Sequence, residues 1–139
     1  MKGVTITPLK KIPDDRGSIF HIMRNDSPMF DKFGEVYVST VYPGVVKAWH
    51  YHSKMTLNYA VVKGNIKLVV FDKLEFKEIY IGDRNYSMVS IKPGIWNGFM
   101  GIGTEEAMVV NVTDIPHDPY EIMRLPYDEF NYDWEVKNR

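Results

Sequence analysis

The chain has 139 residues, 45% of them apolar and 14% aromatic, with a net charge of −1 and no cysteine. This length predicts one domain over residues 1–139 with a sizeable core, and the near-neutral charge disfavours nucleic acid or an anionic membrane as partner. Disulfides, a thiol nucleophile and zinc–thiolate sites are excluded. The start has no signal-like apolar run and no stretch is long enough to span a membrane, so we expect a soluble cytoplasmic protein.

The predicted elements are short β-strands separated by glycine- and proline-rich turns. Strands are predicted at 4–9, 18–23, 35–42, 59–62, 66–72, 78–81, 86–91, 96–100 and 107–113, with a further strand around His50. Turns are predicted at 14–17, 25–28, 43–44, 82–85 and 93–94. Short strands at such intervals predict a sandwich or barrel. Near the end, residues 119–124 are predicted to form one helical turn.

Residues 44–64 form the most informative stretch, because two histidines lie two positions apart within it. His50 and His52 share one face if this segment is a strand. Gly44 lies six positions before His50, and Gly64 lies twelve after His52. The pattern therefore predicts strand, turn and strand, with two imidazoles directed into one space.

This spacing resembles the first motif of the cupin superfamily, in which an acid follows the His-x-His pair. Here Leu57 occupies the position of the acid. The second motif is matched by residues 92–97, with Asn97 where cupins have a histidine. The resemblance implies an all-β cupin jelly roll (a double-stranded β-helix) with a short C-terminal helical tail. Two of the four metal ligands are replaced, which predicts a site without metal or other cofactor.

The order of further motifs resembles the dTDP-4-dehydrorhamnose 3,5-epimerase family of sugar-nucleotide enzymes. The similar segments are D-D-R-G at 14–17, G-V-V-K-A-W-H-Y at 44–51, P-G-I-W-N-G-F at 93–99, and R-L-P-Y-D at 124–128 followed by Trp134. The resemblance implies a homodimeric enzyme that binds a nucleotide-diphosphate sugar. It would remove a proton alpha to the ketone of a 4-keto-6-deoxyhexose, in polysaccharide or antibiotic-sugar biosynthesis.

The resemblance also implies roles for individual residues. His50 matches the catalytic base, and Asp128 matches the aspartate that orients it. Lys47 matches an arginine on the charged side of the substrate, and Arg16 an arginine that reaches the nucleotide diphosphate in the partner subunit. Glu35 matches a polar pocket residue. An imidazole is a suitable base near neutral pH, and a carboxylate partner fixes its tautomer.

The proton donor is where this chain departs from the family. Asn111 occupies the position of the family's acidic tyrosine, and an amide cannot deliver a proton as a phenol can. Tyr37 and Tyr59, on predicted inward-facing strand positions, are candidate replacements. Asn97 and His52 complete the predicted substrate-binding set.

Two alternatives follow from the same residues. The His-x-His pair resembles the sugar-nucleotide 3,4-ketoisomerases, in which histidines and tyrosines relay protons between adjacent carbons. A cupin without the acid could instead bind a nucleotide sugar without catalysis. A tyrosine hydroxyl facing the histidines favours an enzyme, whereas an apolar or amide wall favours a binding protein.

Overall fold

The computed structural model describes residues 1–136, which form twelve β-strands and no helix. The strands are β1 (Val4–Pro8), β2 (Lys11–Asp14), β3 (Gly17–Phe20), β4 (Glu35–Val41), β5 (Val46–His52), β6 (Leu57–Lys63), β7 (Asn65–Phe71), β8 (Phe76–Gly82), β9 (Ser87–Ile91), β10 (Trp96–Ile102), β11 (Ala107–Thr113) and β12 (Ile122–Arg124). The predicted all-β class is therefore confirmed. Residues 1–136 contain no helix that is long and apolar enough to cross a membrane.

The strands form two five-stranded antiparallel sheets and one separate hairpin. The first sheet has the order β1-β9-β6-β11-β4, and the second has the order β12-β5-β10-β7-β8. Strands β2 and β3 pair only with each other. Sheet order thus differs from chain order, so strands distant in sequence become neighbours.

The predicted helical turn near the end was wrong. Residues Ile122, Met123 and Arg124 instead form β12, which pairs with β5 so that Ile122 lies opposite His52 and Arg124 opposite His50. The backbone groups of this segment are satisfied by the edge of the second sheet, which leaves no need for a local helical turn. This pairing brings the tail to the histidine strand.

The main core lies between the two sheets, where the inward-facing side chains of alternating positions meet. Its buried members include Leu57, Val61, Leu68, Val70, Ile81, Val89 and Val109. On β4, successive side chains point to opposite faces, so that Val41 lies in this core while Val36 and Val38 are 53% and 52% exposed. Two core members, Tyr59 and Phe99, also line the cavity described below, so the core and the cavity are continuous.

A second apolar cluster covers the outer face of the second sheet. It is built on Trp49, Val69, Trp96, Met100 and Trp134, and tail residues including Phe130 pack against it. The ring centroids of Trp49 and Trp134 are 5.1 Å apart, and Trp49 Nε1 donates a hydrogen bond to the Tyr127 carbonyl at 3.0 Å. These contacts hold residues after β12 on the outside of the sheet.

Close packing between β5 and β10 sets the position of Asn97. The register of these strands shifts between Asn97 and Gly98, so that Asn97 lies opposite His50 and Gly98 opposite Ala48. A Cβ at residue 98 would overlap the side chain of Ala48. A glycine is required here because the two backbones approach too closely for any side chain.

Candidate active site

A cavity of about 360 Å³ opens between the sheets and is lined by five of the ten predicted site residues. Strand β5 contributes Lys47, His50 and His52, whereas Tyr37 comes from β4 and Tyr59 from β6. The remaining lining residues are Ser39, Val46, Ala48, Phe99, Ile122 and Arg124. The predicted convergence of both histidines on one space is therefore present in the structure.

His50 is partly buried on β5, between the neighbouring strands β12 and β10. Burial lowers its pKa to about 4, and the nearby positive charges of Arg124 and Lys47 act in the same direction. Its ring forms no hydrogen bond to any residue among 1–136. At neutral pH the imidazole is therefore uncharged and can accept a proton, but its affinity for that proton is low.

His52 is paired with a buried carboxylate. Its Nδ1 lies 2.6 Å from Glu121 Oε2, and these side chains are 8% and 1% exposed. Glu121 Oε1 accepts hydrogen bonds from the backbone N–H groups of Met55 at 2.8 Å and Lys54 at 3.3 Å. Because the ionised carboxylate can only accept, Nδ1 of His52 carries a proton, and in a neutral imidazole the lone pair is then on Nε2.

The environment of Glu121 keeps it ionised. Burial alone raises the pKa of this carboxyl group, but the hydrogen bonds from Met55, His52 and Lys54 lower it below the ordinary value overall. Sequence reasoning missed Glu121 because it lies 69 positions from His52. Its only local signal was an acid immediately before an Ile-x-Arg segment that could be a strand.

Two amides hold the cavity tyrosines. Tyr59 donates its hydroxyl hydrogen to Asn97 Oδ1 at 3.1 Å, while Asn97 Nδ2 donates to the His50 carbonyl at 3.3 Å. Burial raises the pKa of Tyr59, with a smaller contribution from Tyr37. On the opposite sheet, Asn111 Nδ2 donates to the Tyr37 hydroxyl oxygen at 2.9 Å. Asn97 and Asn111 thus lie behind the cavity and orient its walls.

Two cationic side chains stand at the same cavity. Lys47 Nζ donates a hydrogen bond to Ser39 Oγ at 3.1 Å, and Arg124 has no ion pair within the described part of the chain. Arg124 was not singled out from the sequence, because the helical interpretation of its segment hid its position on a strand opposite His50. An exposed guanidinium and ammonium beside one cavity favour an anionic ligand.

Three predicted site residues lie elsewhere. Asp128 is exposed, and between residues 1 and 136 no hydrogen bond or ion pair joins it to His50; the adjacent Tyr127 is held by Trp49 on the outer face of the sheet. Arg16 is exposed on the separate hairpin and pairs with Asp14 at 2.6 Å. Glu35 accepts a hydrogen bond from the His117 backbone at 3.0 Å. None of the three lines the cavity.

The described residues contain no group of three or more His, Cys, Asp or Glu side chains that could hold a metal ion. The carboxylate of Glu121, which contacts His52 behind the cavity lining, is already hydrogen-bonded to that histidine and to two backbone N–H groups. The cavity lining itself contains imidazole and phenol groups, which can transfer protons, and the cations of Lys47 and Arg124, which can bind an anion.

Comparison with known proteins identifies the family. A family model described as the polysaccharide biosynthesis C-terminal domain matches residues 12–121. The chain belongs to this family. A relative in Haloferax volcanii, described as a probable low-salt glycan biosynthesis epimerase, Agl13, is 31% identical over 148 residues, covering 96% of this chain and 94% of the relative. The spore coat polysaccharide biosynthesis protein SpsL of Bacillus subtilis is 28% identical, covering 99% and 98%.

Solved structures of similar proteins have the same fold. A dTDP sugar isomerase from Desulfovibrio desulfuricans G20 has a TM-score of 0.92 and 38% identity, covering 96% of this chain and 91% of that one. A dTDP-4-dehydrorhamnose 3,5-epimerase from Sulfolobus tokodaii has a TM-score of 0.82 at 22% identity, covering 99% and 84%. The cupin-like fold and the likeness to sugar-nucleotide epimerases predicted from the motifs are confirmed.

Proposed function

We propose that this protein is an epimerase that acts on a nucleotide-linked 4-keto-6-deoxyhexose by removing a proton alpha to the ketone. The observation that carries the proposal is the buried His52–Glu121 pair, because His52 lines a cavity that is also lined by Lys47 and Arg124. The relatives described as a glycan biosynthesis epimerase and a dTDP sugar isomerase support the same class of reaction.

The first step needs a neutral base near an acidic C–H bond. A 4-keto group acidifies the neighbouring carbon, because the electrons of the broken C–H bond are delocalised onto the ketone oxygen. Of the two imidazoles, His52 is the better base, since Glu121 stabilises the imidazolium that forms. His50, which the family resemblance implies as the base, has a pKa lowered to about 4 and no carboxylate partner in residues 1–136, so we assign it a supporting role beside the substrate.

The anionic part of the substrate would be bound by the cations at the cavity. Arg124 and Lys47 could each hydrogen-bond a diphosphate oxygen, and Arg124 offers a planar fork suited to bidentate contact. We further propose a homodimer in which Arg16 of one subunit reaches the nucleotide of the other. This is supported by the family resemblance and by the hairpin itself, which stands apart from both sheets and leaves Ile12 and Ile19 40% and 60% exposed.

Proton exchange tests the proposal directly. The protein is incubated with dTDP-4-keto-6-deoxyglucose in deuterium oxide, and the C3 and C5 positions of the sugar are followed by NMR. We expect deuterium to enter at one or both carbons with the wild type, and the rate to fall at least about 10²-fold with His52→Asn. Binding of the sugar nucleotide without any exchange would instead identify a non-catalytic binding protein.

One observation favours a second candidate, a 3,4-ketoisomerase. In this chain the histidine with a carboxylate partner is His52, the residue of the His-x-His pair that fits the ketoisomerases better than the epimerase pattern. The two activities share the first proton transfer and differ in the product. A product with inverted configuration and an unchanged 4-ketone indicates an epimerase, whereas a 3-keto product indicates a ketoisomerase.

A further inference from the structure

Asn111 is a fully buried amide whose orientation is fixed by its neighbours. Its Oδ1 accepts a hydrogen bond from the backbone N–H of Asn58 at 3.0 Å. Since that N–H can only donate, the oxygen of the amide must face it, and the NH₂ group must face Tyr37. The contact between Asn111 Nδ2 and the Tyr37 hydroxyl at 2.9 Å is therefore one in which the amide donates and the phenol oxygen accepts.

Because Tyr37 accepts this hydrogen bond, its own hydroxyl hydrogen is not used in the contact with Asn111. The Tyr37 hydroxyl donates to no residue among 1–136, and its side chain lines the cavity at 40% exposure. A donated hydrogen bond also stabilises the phenolate oxygen that remains after a proton has left. Tyr37 is carried by the first sheet, whereas His50 and His52 are carried by the second.

Tyr59 has the opposite arrangement. The Nδ2 of Asn97 donates to the His50 carbonyl, so Asn97 Oδ1 faces Tyr59 and takes its hydroxyl hydrogen. Its burial makes loss of that proton unfavourable. Of the two tyrosines in the cavity, Tyr59 is committed to holding the strand that carries the histidines, and Tyr37 is free to act on a ligand.

We propose that Tyr37 is the proton donor of this enzyme and that Asn111 is the residue that positions it. The inference rests on the proposed function. After the base has taken the alpha proton, the Tyr37 O–H bond breaks as a new C–H bond forms on the face of the enolate opposite the base. The phenolate then takes a proton from solvent, and the imidazolium returns its proton to solvent. At position 111 this chain has an asparagine where the family has its proton-donating tyrosine. Asn111 cannot donate that proton itself, but it orients the hydroxyl of Tyr37, which can.

Two measurements on the same sample separate the donor from the base. In deuterium oxide, exchange of the alpha hydrogen reports removal by the base, and formation of product reports delivery by the donor. Tyr37→Phe should keep exchange within about threefold of the wild type and lower product formation at least about 10²-fold. Tyr59→Phe should lower both together, because it loosens Asn97 beside His50. Tyr86→Phe, which removes a hydroxyl bonded to the His21 carbonyl outside the cavity, is the matched control.

Asn111→Asp tests the positioning role without changing the size of the side chain. The carboxylate still accepts from Asn58 but can only accept from Tyr37, so it takes the hydroxyl hydrogen and withdraws it from the cavity. We expect exchange to persist while product formation falls about as far as in Tyr37→Phe, whereas a merely structural role would lower both equally. Product formation at the wild-type rate by Tyr37→Phe would overturn the donor assignment alone. A wild type that shows no exchange would overturn the proposed function as well.

Discussion

Two replacements of Glu121 should show that this carboxylate contributes both to the stability of the fold and to removal of the alpha proton. The carboxylate accepts hydrogen bonds from His52 Nδ1 at 2.6 Å, Met55 N at 2.8 Å and Lys54 N at 3.3 Å. Glu121→Ala leaves these donors without a partner, and each buried donor left unpaired costs about 1–3 kcal/mol. Because the Lys54 contact is long and partly exposed, we expect a total loss of about 3–5 kcal/mol in the free energy of unfolding.

Glu121→Gln should fold with a smaller loss, about 1–2 kcal/mol, but be nearly inactive. The backbone N–H groups of Met55 and Lys54 require the amide oxygen, so the NH₂ group must face His52 Nδ1. The ring proton then moves to Nε2, and the lone pair available to the substrate is lost. We expect the rate of alpha-proton exchange to fall about 10²–10⁴-fold.

The assay is urea unfolding followed by tryptophan fluorescence, paired with the deuterium-exchange measurement. Glu105→Gln, which alters an exposed carboxylate, is the matched control and should change stability by less than about 0.5 kcal/mol. Wild-type exchange by Glu121→Gln would refute the assignment of the tautomer. A loss below about 1 kcal/mol for Glu121→Ala would refute the burial of the pair.

Three further predictions follow from the cavity and its supporting strands. The folded pKa of His50, about 4, lies below the ordinary 6.5, so the unfolded chain binds the extra proton between these values. The free energy of unfolding should therefore fall by up to about 3 kcal/mol as the pH drops from 6.5 to 4. Chemical unfolding measured across that range should show a smaller dependence on pH for His50→Asn than for the wild type. Lys47→Ala and Arg124→Ala should each weaken dTDP binding about tenfold in calorimetry, and the difference should be smaller at high salt. A variant that binds dTDP as tightly as the wild type would argue against contact of that side chain with the diphosphate. Gly98→Ala should cost about 1–3 kcal/mol because its Cβ overlaps Ala48, and an unchanged melting temperature would contradict that close approach.

Local sequence patterns predicted much of this protein because their physical signals are local. Tyr37, expected at an inward-facing strand position, lines the cavity, whereas its neighbours Val36 and Val38 are about half exposed. The two-residue spacing of His50 and His52 placed both on the cavity side, because successive residues of a strand point to opposite faces. The motifs also led to the right family.

The partners of those side chains could not be predicted in the same way, since they depend on which strands become neighbours. Sequence alone determined the strand class, the histidine pair and the replacement of the cupin acid by Leu57. Only the tertiary structure determined that the segment ending in Arg124 pairs with the histidine strand, because the aromatic tail must cover the outer face around Trp49. That packing brings Glu121 to His52, a contact across 69 residues that no local pattern encodes.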